Sequence, residues 1–244
     1  MEPTASRGCL GKGGRVTEWA GQLEGRGVRT RVTTAGKSYK ATFAVVTLPL
    51  GVLKAGAVKF TPPLPADKTG AINRLAMGTL NKVILSLPAA AKLPSVNWIS
   101  RIPLASDKGR WREFFSLKKA TGRPVVVAFV AGKAALFPAS DTDKSLGEQA
   151  LAALRGILGG PANVPAPDQV IVTRWHADPF SLGSYSYSPA GADGTEREQL
   201  AAQVSNRLYF AGEATSEEAP STVHGAYLTG EAAAGAALAD HGSR

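Results

Sequence analysis

Apolar positions along this chain follow two periods. Short alternating or continuous apolar runs predict strands, and one long stretch with a period near 3.6 predicts a helix. Gly27–Gly36 (GVRTRVTTAG) and Ser38–Leu50 (SYKATFAVVTLPL) read as two strands around a turn at Gly36–Lys37. The second ends in the unbroken apolar run Phe43–Leu50, the pattern of a strand buried on both faces. Gly51–Pro65 reads as a loop broken by Pro62, Pro63 and Pro65. Ala66–Ala76 predicts a short amphipathic helix and Leu80–Leu87 a strand. Arg112–Gly132 predicts two strands around Thr121–Gly122.

The clearest helix lies in Asp141–Gly160. Leu146, Ala150, Leu151, Leu154, Ile157 and Leu158 share one face, Asp141 or Thr142 caps the start, and Gly159–Gly160 stop it. Asp168–Trp175 predicts a strand and His176–Gly194 a long irregular loop. A strand at Leu208–Ala211 and a helix opening near Val223 close the chain. Strands alternating with helices, without an internal repeat, give the fold class α/β (α+β).

Composition narrows the partners. The chain has 244 residues, 44% of them hydrophobic, enough for one large core or two modest ones. A single cysteine, Cys9, excludes an internal disulfide framework and a multi-cysteine metal site. No apolar run reaches the roughly 20 residues of a membrane span, and the N-terminus has no signal-peptide core, so a cytoplasmic protein is expected. The net charge is +9, but the basic residues are spread out, with only a loose enrichment near the N-terminus. No recognition-helix or zinc-finger signature accompanies them, which argues against nucleic acid. Gly8–Gly14 (GCLGKGG) has no strand before it and no helical pattern after it, so it reads as a flexible end rather than a phosphate loop.

Three constellations carry candidate chemistry. In the first, Glu213 follows the strand Leu208–Ala211, and a helix rich in glycine and alanine opens with Val223, Gly225 and Ala226. Small residues at a helix N-terminus let a flat or anionic ligand approach unpaired N–H groups, and a carboxylate at a strand end suits ribose-like hydroxyls. Ordinary close packing at Gly225, Gly230 and Gly235 explains the same pattern. In the second, Thr173–Tyr187 is dense in aromatics: Trp175, Phe180, Tyr185 and Tyr187. Such faces suit planar cofactors and cationic amines, or a satellite core under a loop. The third is Lys82, which alternates with Val83 in an apolar strand and by that alternation points outward.

Four segments resemble the flavin-containing amine oxidases: AVVTLPLGVLKAGAVKFTPPLP, LNKVILSLP, TRWHADPFSLGSYSY and LYFAGEATSEEAPSTVHGAYLTGEAAA. They lie in order and span nearly the whole chain after about residue 15. This family includes polyamine oxidases, monoamine oxidases and lysine-specific histone demethylases. The resemblance implies a partial Rossmann-like FAD-binding domain interleaved with a mixed-sheet substrate domain. The implied divisions are a flexible N-terminus at 1–13, FAD-domain parts at 14–79 and 194–244, and a substrate-domain part at 80–193.

It also implies roles. Glu213 matches the acid that binds FAD hydroxyls. Thr222, Val223 and Ala226 match the helix start at the flavin pyrimidine edge, where the helix dipole favours the reduced, anionic ring. Val16 falls where a family valine contacts adenine. Lys82 matches the lysine that holds a water near flavin N5, an inward and wet position that opposes the outward reading. Trp175 matches a tryptophan beside the flavin, and Ser184 and Tyr185 match the loop lining flavin and substrate. Phe180 stands where many relatives have tryptophan, and Thr222 where some have a tyrosine of an amine cage. Monoamine oxidases carry a flavin-bonded cysteine at the Ser184 position, so non-covalent FAD is implied. The implied substrate is a small-molecule amine, oxidised to an imine with release of hydrogen peroxide, without metal, membrane or nucleic acid.

Relatives open with a strand–GxGxxG–helix unit that holds the FAD diphosphate. The match here is to the C-terminal half, so the expectation is either a truncated oxidase completed by an N-terminal polypeptide or an inactive remnant serving as a binding module.

Overall fold

The computed structural model describes residues 30–34, 37–102, 105 and 109–242, and the backbone of 15–17. The predicted flexible N-terminus 1–13, the turn residue Gly36 and the start of the strand predicted at Gly27 lie outside them. In chain order the elements are β1 (Arg15–Thr17), β2 (Thr30–Thr34), β3 (Lys37–Ala41), β4 (Ala44–Val46), α1 (Leu50–Lys54), β5 (Lys59–Thr61), α2 (Ala66–Arg74), β6 (Ala76–Gly78), β7 (Leu80–Ser86), β8 (Trp98–Ser100), β9 (Glu113–Ser116), α3 (Lys118–Thr121), β10 (Val125–Ala131), α4 (Asp143–Leu158), β11 (Gln169–Val172), β12 (Tyr185–Tyr187), α5 (Glu196–Ala201), β13 (Leu208–Phe210) and α6 (Val223–His241). They gather into two units. One takes the described residues up to Met77 and those from Pro179 onward; the other is Gly78–Asp178.

The second unit is an antiparallel sheet of order β11-β7-β10-β9-β8 under one helix. Period-two alternation along β7 buries Asn81, Val83 and Leu85 and leaves Lys82, Ile84 and Ser86 half-buried on the opposite face. Leu146, Ala150, Leu151 and Leu154 of α4 pack onto Val83, Leu85, Phe114, Val126 and Ala128. Each buried leucine contributes about 1.5–3 kcal/mol of transfer free energy. Thr142 accepts the Ser145 N–H and caps α4, and Gly159 ends it at φ 81°. The helix predicted from periodicity is therefore present, with both its stop signals in use.

The other face of this sheet is also apolar. Ile171, Ile84, Val127, Phe115 and Trp98 lie in register across all five strands. Trp98 packs edge-on to Phe115 with ring centres 4.8 Å apart.

The first unit holds a four-stranded sheet, β3-β2-β1-β5, and the parallel pair β13–β4. Val46, Val58, Leu208 and Phe210 form one core; Leu50, Ile72, Leu75 and Leu200 form another. Three predictions need correction here. The run Phe43–Leu50 is strand only over Ala44–Val46, and Val45 is exposed; Pro49 has no N–H to extend a ladder. Gly51–Pro65 is not all loop: it contains most of α1 and the whole of β5, which pairs parallel with β1. Burial of Leu50 and Val52 drives the first. The second is a long-range pairing that its prolines disguise. The loop His176–Gly194 likewise contains β12.

Lysines tie the helices of this unit together. Lys54 Nζ, at the end of α1, donates to the carbonyls of Ile72, Asn73 and Leu75 at 3.0, 2.8 and 2.7 Å, where α2 ends. Lys68 of α2, almost fully buried, donates to the carbonyls of Gln199 and Leu200 at the end of α5 and lies 3.8 Å from the centre of the Phe210 ring. Helix C-termini carry unpaired carbonyls and partial negative charge, which both ammonium groups complement.

Candidate functional site

The first unit assembles its site around Glu213. Two residues past the end of β13, Gly212 with φ 134° turns the chain into a short turn of 3-10 helix, Glu213–Thr215. The Glu213 carboxylate accepts three hydrogen bonds: from Ser186 N–H at 2.9 Å, Ser186 Oγ at 2.7 Å and Ser221 N–H at 2.9 Å. Ser221 Oγ donates to the Ser186 carbonyl. The buried Arg197 donates Nη1 to Ser186 Oγ at 2.9 Å and to the Ala214 carbonyl at 3.0 Å. Burial draws the Arg197 guanidinium below its ordinary pKa, with Glu213 and Glu196 opposing. The segment Ser184–Ser186 is thereby fixed to the turn that carries Glu213 and to the entry of α6.

Thr222 caps α6: its Oγ1 accepts the Gly225 N–H at 3.0 Å and donates to the Ala219 carbonyl at 2.7 Å. A Cβ at Gly225 would stand 2.0 Å from the Ala219 oxygen, so only glycine fits. Gly230 and Gly235 face open space. Of the three glycines, the close-packing reading therefore holds at Gly225 and not at Gly230 or Gly235. The N–H groups of Val223 and His224 have no acceptor among the described residues, and the Val223 side chain is 89% exposed. Thr229 Oγ1 accepts the Gly212 N–H at 3.0 Å and has the carbonyls of Gly225 and Gly212 within reach of its single proton, anchoring the helix to the chain after β13.

Ser184, Tyr185, Glu213, Thr222, Val223 and Ala226 thus stand in one hydrogen-bonded neighbourhood. Ser184 and Tyr185 are half-buried, and Phe180, in the same unit, is exposed. The Thr222 hydroxyl is committed to its cap. Val16 lies in β1, backbone-paired with Val32 and Phe60, and its side chain lies outside the described residues. His224 is exposed.

Lys82 and Trp175 belong to the second unit. Lys82 sits half-buried on the sheet face opposite the α4-covered core, in register with Phe129. The outward reading thus holds with respect to this unit's own core. Trp175 is 40% exposed. Lys82 and Trp175 are linked through two residues that sequence reasoning missed. Asn81 is fully buried; its Oδ1 accepts Trp175 N–H at 2.9 Å and Thr173 Oγ1 at 3.2 Å. Its Nδ2 donates to the Ala135 carbonyl at 2.9 Å and lies 3.0 Å from His176 Nδ1. Thr173 Oγ1 accepts Lys82 N–H at 2.8 Å, and Thr173 N–H donates to the Lys82 carbonyl at 3.0 Å. The available signal was a polar residue in the buried phase of an apolar strand.

A separate concavity of about 830 Å³ in this unit is lined by Arg101, Arg110, Lys133 and Asp141 among others, and by none of the predicted residues. Arg110 is already paired with Asp141 at 3.1 Å. Among the described residues, no group of three His, Cys, Asp or Glu is placed to hold a metal, and no helix is long and apolar enough to cross a membrane.

The profile of the flavin containing amine oxidoreductases matches residues 15–238. The chain belongs to this family. As a family member it is 42% identical over 207 residues to the Arabidopsis thaliana lysine-specific histone demethylase 1 homolog 3, covering 83% of this chain and 12% of that protein. It is 41% identical to homolog 2 of the same plant, covering 82% and 27%. It is 38% identical to a possible lysine-specific histone demethylase 1 of Drosophila melanogaster, covering 84% and 25%. The chain therefore spans about a quarter or less of the length of these relatives. A solved double mutant of putrescine oxidase superposes with a TM-score of 0.65 at 16% identity, covering 91% of this chain and 47% of that one. That likeness establishes the amine oxidase fold, present here in part.

The family implies a flavin cofactor, and the residues present fit one. A carboxylate offers about four lone-pair sites, and three at Glu213 are taken, which leaves one for a cofactor hydroxyl. The unsatisfied N–H groups of Val223 and His224 present donors to the acceptor-rich pyrimidine edge.

Proposed function

We propose that this chain carries the flavin-edge and substrate-facing residues of an FAD-dependent amine oxidase acting on N-methylated lysine side chains. The observation that carries this reading is the hydrogen-bonded hub at Glu213, which joins Ser184–Ser186 to the open N-terminus of α6. The fitted cofactor is FAD, held without a covalent bond, since the hydroxyl of Ser184 forms no thioether.

When bound, the flavin supplies the acceptor for a hydride equivalent from the carbon beside the amine nitrogen. The residues do the rest. Glu213 receives a cofactor hydroxyl. The N–H groups of Val223 and His224, with the helix dipole behind them, stabilise negative charge at the pyrimidine edge. In the first unit Tyr185 and Phe180 offer aromatic faces to the amine, and Trp175 is a partly exposed aromatic of the second unit. Lys82 orients a water. With flavin bound, the net reaction would take the amine, water and molecular oxygen to the shortened amine, an aldehyde and hydrogen peroxide. The choice of methyl-lysine follows the three relatives reported above, each named as a lysine-specific histone demethylase 1 or a homolog of one.

A second reading, a binding module without turnover, is favoured by the exposed Val223, Tyr227, Leu228 and Leu238 of α6. One experiment separates the two. The chain is purified with excess FAD, gel-filtered, and its visible spectrum recorded, after which a methylated-lysine peptide is added and peroxide and formaldehyde are assayed. Co-eluting flavin bands and peptide-dependent peroxide support the oxidase. Colourless protein sinks it and leaves the module.

A further inference from the structure

Neither Asn81 nor Thr173 would face substrate, yet between them they fix the backbone at two residues that would face the flavin. Starting from Lys82, its N–H enters the Thr173 hydroxyl, that hydroxyl donates to Asn81 Oδ1, and the same oxygen accepts the Trp175 N–H. The Asn81 carboxamide has no freedom to turn over. Two donors converge on Oδ1, and Nδ2 is held by the Ala135 carbonyl. His176 Nδ1 accepts from the same Nδ2, which places the His176 proton on Nε2. A fully buried carboxamide with every group engaged is costly to disturb and specifies one geometry. β11 ends at Val172 and the last ladder bond is Thr173 N–H to the Lys82 carbonyl; beyond Thr173 the ladder no longer sets the path of the chain, and the Asn81–Thr173 clip takes over that task.

We propose that Asn81 and Thr173 are positioning residues that set the location of Trp175 relative to Lys82. The proposal rests on the flavin reading above for its catalytic meaning and on hydrogen-bond geometry for its physical content. A buried polar pair retained purely for stability would be replaceable by apolar groups without moving Trp175. A positioning pair would not.

The test uses the full chain labelled with 5-fluorotryptophan, the Trp175 resonance being assigned with Trp175→Phe. In Thr173→Val the side chain keeps its volume and loses the hydroxyl, so both Lys82 N–H and Asn81 Oδ1 lose a partner. At temperatures where circular dichroism shows a folded protein, this variant is expected to shift and broaden the Trp175 resonance and leave Trp98 and Trp111 in place. Thr173→Ser, which retains the hydroxyl, is expected to restore the wild-type position. If Thr173→Val does not fold, Asn81→Ser is read in the same way. A Trp175 resonance that stays put in the folded variant overturns the positioning role. Added FAD should perturb the Trp175 resonance in the wild type and in Thr173→Ser, and less in Thr173→Val. A wild type that takes up no FAD overturns the flavin reading, while the spectra without FAD still decide whether Asn81 and Thr173 position Trp175.

Discussion

Ser186 grips Glu213 twice, its N–H on one carboxylate oxygen at 2.9 Å and its hydroxyl on the other at 2.7 Å. The second oxygen also receives the Ser221 N–H. Two backbone donors therefore face opposite oxygens. In Glu213→Gln one of them must meet an amide NH₂, whichever way the side chain turns. With the NH₂ turned to the exposed Ser221 N–H, the lost hydrogen bond costs its net value of about 0.5–1.5 kcal/mol. The variant should lose stability of that order in urea titrations and bind FAD more weakly by equilibrium dialysis. Unchanged stability would show that the hub is not rigid.

The glycines of α6 should part company. Gly225→Ala drives a methyl group into the Ala219 carbonyl and should lower the thermal midpoint. Gly230→Ala adds a methyl group in open space and should stabilise by about 0.5–1 kcal/mol, the helix-interior difference between glycine and alanine. Calorimetry on the two variants checks both signs.

Val223→Asp separates stability from binding. The side chain is exposed at the first position of α6. An acid there complements the dipole by about 0.3–1 kcal/mol. It would also set a fixed negative charge at the proposed pyrimidine edge. Thermal stability should hold or rise while FAD retention in gel filtration is lost. Full retention would move the flavin edge elsewhere.

Burial pushes the Lys68 ammonium down to about 7 from 10.5. Between those values the unfolded chain binds the proton more tightly than the folded one, so stability rises as pH rises, by at most about 1.4 kcal/mol per pH unit. Below the folded value the burial penalty is present in full. Lys54 is lowered by burial as well and adds in the same direction. Urea midpoints should therefore increase from about pH 7 to about pH 9, and Lys68→Met should flatten that slope. A slope unchanged in Lys68→Met would overturn the assignment.

The sequence displayed what periodicity encodes. Helix α4 shows its apolar face, its threonine cap and its glycine stop along one stretch, β10 shows an unbroken apolar run, and β7 shows a shorter one, Val83–Leu85. The terminal strand and helix, with Glu213 between them, were equally legible. What stayed hidden depends on partners far away in the chain. Helix α5 has one buried apolar residue, Leu200; its buried Glu196 is held by Arg74 of α2 at 3.2 Å, a pairing across 122 positions. β5 is three residues long and takes its meaning from β1. The Glu213 hub draws on Ser221 and on Ser186 and Arg197, ordinary surface residue types; the burial of the last two only the fold creates. The family motif marked Lys82 and Trp175, but gave no role to Asn81 and Thr173 between them.

The two capping lysines form a sequence of their own: α1 closes α2 through Lys54, and α2 closes α5 through Lys68. Each helix is short, and none would persist in water alone. Linked end to end in this way they should open together, so the slowest backbone amides of α2 and α5 should exchange with solvent deuterium at one common rate, and losing either lysine should release both helices at once.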